Sequence, residues 1–286
     1  MKNNHRAIFY AVLAAALYAL NAPISKLLLN RIPSTMMAGL LYLGAGSGMY
    51  LMEKFHQNKD EQPLTRKELP YTAAMVALDI AAPIFLMIGL TKCSAANAAL
   101  LNNFEIVATS LIALLIFKEA ISRRLWCAIF LVTLSSILLS VDDLSSFSFS
   151  LGSIFVLLAC VCWGFENNCT RMLSSKNPAQ IVVIKGFGSG LGAFVLGLVS
   201  GERYFHPGYM AFALLLGFVS YGLSIYFYIY AQRNLGAAKT STYYAVSPFI
   251  GAGLSLLIFR EVPSLTFLVA LAIMAAGTYF ASVDSK

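Results

Sequence analysis

The chain has 286 residues, 59% of them hydrophobic and only 12% charged, with a mean hydropathy of +0.75; soluble domains carry about 25% charged residues. That excludes an ordinary water-soluble enzyme, and about ten crossings of about 20 residues leave no linker long enough for a separate soluble domain. Lys and Arg outnumber Asp and Glu by 20 to 13, for a net charge of +7, so where the positive charge falls decides its meaning.

Ten apolar segments follow one another, each bounded by charge, Pro or Gly: 7–28, 34–52, 69–91, 94–117, 123–141, 151–173, 178–200, 208–232, 236–259 and 263–283. The first begins with a basic stretch, Met1 to Arg6, and runs on through Asn21, Pro23 and Lys26. It is too long to be only a signal peptide and reads as an uncleaved helix. Pro33 to Met52, Leu125 to Val141, Thr240 to Phe259 and Val262 to Val283 carry no charge at all. The five cysteines (Cys93, Cys127, Cys160, Cys162, Cys169) are odd in number and lack metal-ligand spacing, so they read as free thiols, and no metal or cofactor is expected.

Positive loops stay on the cytoplasmic side of a membrane. With the N-terminus inside, 14 Lys and Arg fall at cytoplasmic ends and 5 at outer ends (Lys26, Arg31, Lys92, Arg203, Arg260), while Lys185 lies within a span. The positive excess therefore faces anionic lipid rather than nucleic acid.

The halves overlay at a nearly constant offset. Residues 18–33, YALNAPISKLLLNRIP, align with 163–178, WGFENNCTRMLSSKNP, at an offset of 145, and LLIFKE at 114–119 aligns with LLIFRE at 256–261 at 142. SAAN at 94–97 lies over GAAK at 236–239. The expected fold is an all-α integral membrane protein of ten transmembrane helices, built as two five-helix repeats, 1–146 and 147–286. An odd number of crossings per repeat forces the second copy to insert inverted, a recurrent design of secondary transporters.

Trp163-Gly164 in the sixth segment, Gly236 to Ala238 entering the ninth, Ser247-Pro248 within it and Arg260-Glu261 at its end resemble the EamA domains of the drug/metabolite transporter superfamily. The resemblance implies ten helices, both termini cytoplasmic, a central cavity between the halves, and export or exchange of small metabolites, commonly amino acids. One departure stands out. The first repeat has Glu105-Ile106 where the second has Ser247-Pro248, so the fourth helix is expected to be less kinked than the ninth.

A charge at the bilayer centre costs about 2.5 to 3.5 kcal/mol on insertion scales, so such residues usually face a protein interior or a wet cavity. Asp79, Glu105 and Glu166 are the acids in the spans and the candidate proton carriers; Lys185 needs a partner, Glu166 or Asp79, either as a fixed ion pair or as a grip for a substrate carboxylate. With Arg171 included, these charges sum to about minus one, which favours a zwitterion or cation over a polyanion. At helical spacing Trp163, Glu166, Asn167 and Thr170 share one stripe, matched by the uncharged stripe Tyr18, Asn21, Ala22 and Ser25. Asn102 and Glu105 lie over Tyr244 and Ser247, beside Tyr243. The candidate substrate-binding set is therefore Tyr18, Asn21, Asp79, Asn102, Glu105, Trp163, Glu166, Asn167, Lys185, Tyr243, Tyr244 and Ser247. A carboxyl that merely caps a helix, or Asn side chains that only join helices, are the bland alternatives. Glu119 and Glu261 read as helix-end residues. The Gly series 44, 46, 48 and 186, 188, 190, 192 reads as packing.

These features favour a secondary transporter, expected to work as an exporter, for a small polar or zwitterionic metabolite in a bacterial inner membrane. Protons are a candidate coupling ion, since no P-loop motif is present, and a monomer suffices. Two rivals are an intramembrane enzyme acting on lipid-linked substrate and a non-transporting scaffold or receptor. The first lacks a nucleophile–base pair, and all three His lie in loops or at the terminus.

Overall fold

Apolar runs bounded by charged or Pro-containing loops become helices, because in lipid every backbone polar group must be bonded within its own segment. The computed structural model describes residues 2–55, 62–116, 118, 122–143, 148–173, 175–235, 240 and 243–284. In chain order the helices are α1 (Lys2–Ala19), α2 (Asn21–Leu28), α3 (Ser34–Phe55), α4 (Leu69–Lys92), α5 (Ala95–Leu101), α6 (Phe104–Leu115), α7 (Arg123–Ser140), α8 (Leu151–Leu173), α9 (Pro178–Val199), α10 (Pro207–Gly217), α11 (Ser224–Leu235), α12 (Ser247–Phe259) and α13 (Leu265–Asp284). Between α7 and α8 runs a short antiparallel ladder, β1 (Val141–Asp143) with β2 (Ser148–Phe149). The Gly236–Ala238 motif, Lys239 and Glu119 lie outside the described residues.

Among the described residues, seven helical stretches are long and apolar enough to cross a membrane: 5–28, 66–92, 95–115, 123–140, 151–173, 178–199 and 207–231. Ser247–Phe259 and Leu265–Phe280 are shorter apolar helices. α3, uncharged up to Met52, is absent from the seven despite its 22 residues. Its sequence is rich in Gly, Ser and Tyr, and it is buried among other helices, with Met36 to Tyr42 and Gly44 to Gly46 inside. A helix covered by protein needs less lipid-facing hydrophobicity.

Glycine sets the closest crossings. A Cβ on Gly186 of α9 would lie 2.3 Å from the Gly46 backbone nitrogen of α3, and one on Gly44 would lie 2.0 Å from the Leu214 carbonyl oxygen of α10. Only residues without side chains let these backbones approach so closely.

Three spans are interrupted near mid-length. Pro23 has no N–H for the Ala19 carbonyl and its ring crowds that oxygen, so α1 ends at Ala19 and α2 begins at Asn21. Pro248 does the same to Tyr244, and α12 starts at Ser247 with Pro in its first turn. The fourth span also breaks, at Asn102–Asn103 between α5 and α6. The turn there tightens to bonds three residues back, Asn103 N–H to Leu100 O at 3.1 Å and Glu105 N–H to Asn102 O at 3.1 Å. The Asn103 amide also competes for the Leu100 carbonyl, at 3.4 Å, as short polar side chains do in helices. In the eighth span a π turn over Phe218–Leu223 joins α10 to α11 and carries Tyr221.

The neighbours of the helices are exchanged between the halves. α4 packs along α8 as α11 packs along α1; α6 packs on α8 as α12 packs on α1; α3 crosses α9, and α7 crosses α13.

Candidate functional site

The buried charges form one group. Lys185 Nζ on α9 lies 3.1 Å from Asp79 Oδ2 on α4 and 3.0 Å from Glu166 Oε1 on α8. The residues are 5%, 0% and 2% exposed, so all three are screened from solvent by protein. Lys185 thus takes both partners that the sequence offered. The contact to Asp79 is a charge pair rather than an aligned hydrogen bond, since Asp79 Oδ2 has no hydrogen-bond partner. Asp79 Oδ1 instead accepts from the Tyr42 hydroxyl at 2.8 Å. Thr170, one turn after Glu166, donates to the same Glu166 oxygen that meets Lys185. With all three ionised the formal charge is minus one.

Glu105 is turned inward but belongs to a separate contact. Its Oε1 accepts from Asn167 Nδ2 at 2.5 Å, and the same amide reaches Thr109 Oγ1 at 3.3 Å. Asn168 donates to the carbonyls of Thr109 (3.2 Å) and Gly164 (2.9 Å), so these amides pin α8 to α6. Trp163 is buried beside them, 6% exposed.

A second polar group is uncharged. Asn21 Nδ2 donates to the Tyr221 hydroxyl at 3.0 Å, and Ser25 donates to Asn21 Oδ1 at 2.9 Å. Tyr221 lies 5.0 Å, ring to ring, from Tyr42 and 5.7 Å from Tyr18. Tyr18 in turn lies 6.0 Å from Tyr244. Ser247 donates to the Ala15 carbonyl at 2.7 Å, and Ser224 to Ala14 at 2.8 Å.

Where the three interrupted spans converge is a narrow crevice lined by Tyr18, Ala19, Asn21, Ala22, Ala99, Asn102, Ser247, Pro248 and Gly251. It has room for about one water molecule. Among the described residues, the Tyr18 hydroxyl and the Asn102 amide nitrogen make no hydrogen bond, which leaves them available to whatever enters. Non-helical backbone at membrane depth is tolerated where it lines a cavity.

The predicted set therefore divides. Tyr18, Asn21, Asn102 and Ser247 line the crevice, with Tyr244 one ring away; Asp79, Glu166 and Lys185 form the charged group; Glu105 and Asn167 pair with each other. Tyr243 is half-buried and lines no part of the crevice. Lys26, placed at an outer end, bonds the Leu90 carbonyl and, at 2.7 Å, that of Cys93, capping α4. The Glu261 side chain is exposed, and its backbone N–H bonds Leu256 O at 3.2 Å. None of the five cysteines is in a disulfide.

Sequence reasoning passed over Tyr42 and Tyr221. Tyr221 stands 142 residues after Asp79, the offset that aligns LLIFKE with LLIFRE, so the repeat alignment held the signal.

The EamA-like transporter family matches this chain twice, over residues 5–141 and 150–283. A protein of Methanothermobacter thermautotrophicus described as an uncharacterized transporter is 24% identical over 295 aligned positions, covering 96% of this chain and 85% of that protein. A solved crystal structure shares the fold at a TM-score of 0.69 and 16% identity, covering 100% of this chain and 98% of that chain.

Proposed function

Because the chain belongs to the EamA-like transporter family, we propose that this integral membrane transporter is a secondary exporter of a small polar or zwitterionic metabolite, such as an amino acid. Its site is the crevice among the interrupted first, fourth and ninth spans, and it works by alternating access. The observation that carries this reading is the meeting of three helix breaks at one uncharged, amide- and tyrosine-lined crevice, linked through Asn21, Tyr221 and Tyr42 to a buried ion group. Broken helices at a central site are a recurrent transporter design.

Ten crossings in two inverted five-helix repeats, 1–146 and 147–286, account for the exchange of helix neighbours between the halves. A single chain then supplies both halves, and a monomer suffices. The excess of Lys and Arg at one set of ends supports an inner-membrane protein with both termini cytoplasmic. The crevice admits about one water, as befits an occluded state, and rocking one half against the other would widen it toward either face.

The crevice lining favours a solute with hydrogen-bonding groups and little net charge. Tyr18 supplies a ring and a hydroxyl, Asn102 an amide, and no lining residue carries charge. The drive is assigned to protons. A triad of formal charge minus one in a low-dielectric interior is costly, and one proton arriving on a carboxylate brings it to neutrality.

Flux into proteoliposomes, screened over amino acids, nucleotides and organic cations with and without a pH gradient, tests the reading. Uptake of a neutral or zwitterionic solute, stimulated by the gradient and unresponsive to it in Asp79→Asn and Glu166→Gln, is the expected result. Unchanged flux and pH response in both variants and in Glu105→Gln would remove carboxyl carriers from the mechanism.

A further inference from the structure

We infer that the two polar groups are diverged versions of one constellation, the charged one holding the proton and the uncharged one the solute, and that the Tyr42–Asp79 hydrogen bond is the joint between them. This rests on the transporter reading above and assigns separate tasks within it.

The contacts correspond. Ser25 donates to Asn21 four residues earlier, and Thr170 donates to Glu166 four residues earlier; at the offset of 145, Asn21 falls on Glu166 and Ser25 on Thr170. Asn21 binds Tyr221 on the third helix of the other half, and Glu166 is bridged through Lys185 to Asp79, likewise on the third helix of the other half. The second helix of each half adds one long side chain, Tyr42 or Lys185. The groups thus draw on the first, second and third helices in the same way. One of them keeps only neutral side chains and opens on the crevice; the other carries three charges and is closed.

Tyr42 belongs to both. Its hydroxyl donates to Asp79 and its ring packs on Tyr221, whose hydroxyl holds Asn21 at the crevice wall. While Asp79 is a carboxylate, that donation and the Lys185 contact hold α4, α9 and α3 together. A proton on Asp79 neutralises it, weakens the pull on Lys185, which keeps Glu166, and supplies a competing O–H where Tyr42 had donated. Tyr42 is then free to reorient, and Tyr221 and Asn21 lose their backing. The charged and titratable groups around Asp79 are Lys185 on α9, Glu166 and Cys162 on α8, Tyr42 on α3 and Tyr221 on the π turn. Glu105 faces Tyr18, Tyr221, Tyr244 and Cys160 and also feels the charges of Glu166 and Lys185; its hydrogen bond goes to Asn167, not to Tyr42 or Asp79.

The test needs no substrate. Purified protein in liposomes carries Trp126→Phe, which leaves Trp163, three residues before Glu166 on α8, as reporter, and Ala99→Cys, which puts a thiol on the crevice wall. Two quantities are followed between about pH 5.5 and about pH 8.5: Trp163 emission, and the rate of maleimide labelling read on the peptide containing position 99, divided at each pH by the rate for a free thiol in solution, since only the thiolate reacts. In the parent, both change with pH, labelling by about tenfold or more, the factor for ~1.4 kcal/mol. Tyr42→Phe keeps the ring and removes the hydroxyl; it should leave the Trp163 titration in place, which also reports folding, while labelling becomes independent of pH. Tyr221→Leu, which removes the ring that Tyr42 leans on, should give the same separation. Labelling that still follows pH in both variants overturns the joint and leaves the transporter reading standing. If the parent shows no pH response in either quantity, the proton-coupled reading fails, and the joint with it.

Discussion

At the scale of single residues the decisive fact is that one cation serves two acids in the buried interior. Breaking a buried pair by removing one partner costs about 3 to 5 kcal/mol, because the other charge is left without compensation. Lys185→Met strands both Asp79 and Glu166, so it is expected to abolish or severely reduce the folded monomer, read by thermal unfolding in detergent. Combining it with Asp79→Asn and Glu166→Gln should restore most of the lost stability. Additive losses across that set would mean that the three do not act as a unit. That Lys185 needed an acid was legible from the sequence, since a central Lys has few other ways to exist there. The part played by Tyr42 was not. A tyrosine in a charge-free segment is indistinguishable in sequence from an ordinary packed ring, and only the position of Asp79 Oδ1 reveals it.

Among the elements, glycine and helix breaks shape the bundle. A methyl group on Gly186 would meet backbone atoms of Gly46 at 2.3 and 2.4 Å, and backbone cannot swing aside, whereas nothing lies within 4 Å of a Cβ at Gly253. Gly186→Ala is therefore expected to cost about 1 to 3 kcal/mol, and Gly253→Ala to stabilise α12 by up to about 1 kcal/mol, both measured as shifts in thermal midpoint. The opposite order would contradict the close crossing of α3 and α9. The existence of the long spans was readable from their apolar length, and the Pro-driven breaks at Pro23 and Pro248 follow from a missing N–H. The break at Asn102–Asn103 was not legible from proline content, because it comes from two successive amides able to compete for the backbone. The lack of charge in 34–52 made a helix there readable, and its Gly and Tyr mark one wrapped by protein.

For the whole molecule, duplication explains why contacts recur with the halves exchanged, and divergence explains why only one half of the centre is charged. The repeat was visible in the sequence because matched motifs persist at nearly constant spacing. The crevice was not, since it exists only where three breaks from distant parts of the chain come together. Alternating access requires that this one crevice open to both sides of the membrane in turn. A thiol introduced by Ala22→Cys at the crevice wall, probed in sealed vesicles with a membrane-impermeant maleimide applied outside only or inside only, tests this most directly. The account predicts modification from each face, with reagent on one side excluded while the crevice is held open to the other. Modification from a single face under every condition would contradict it.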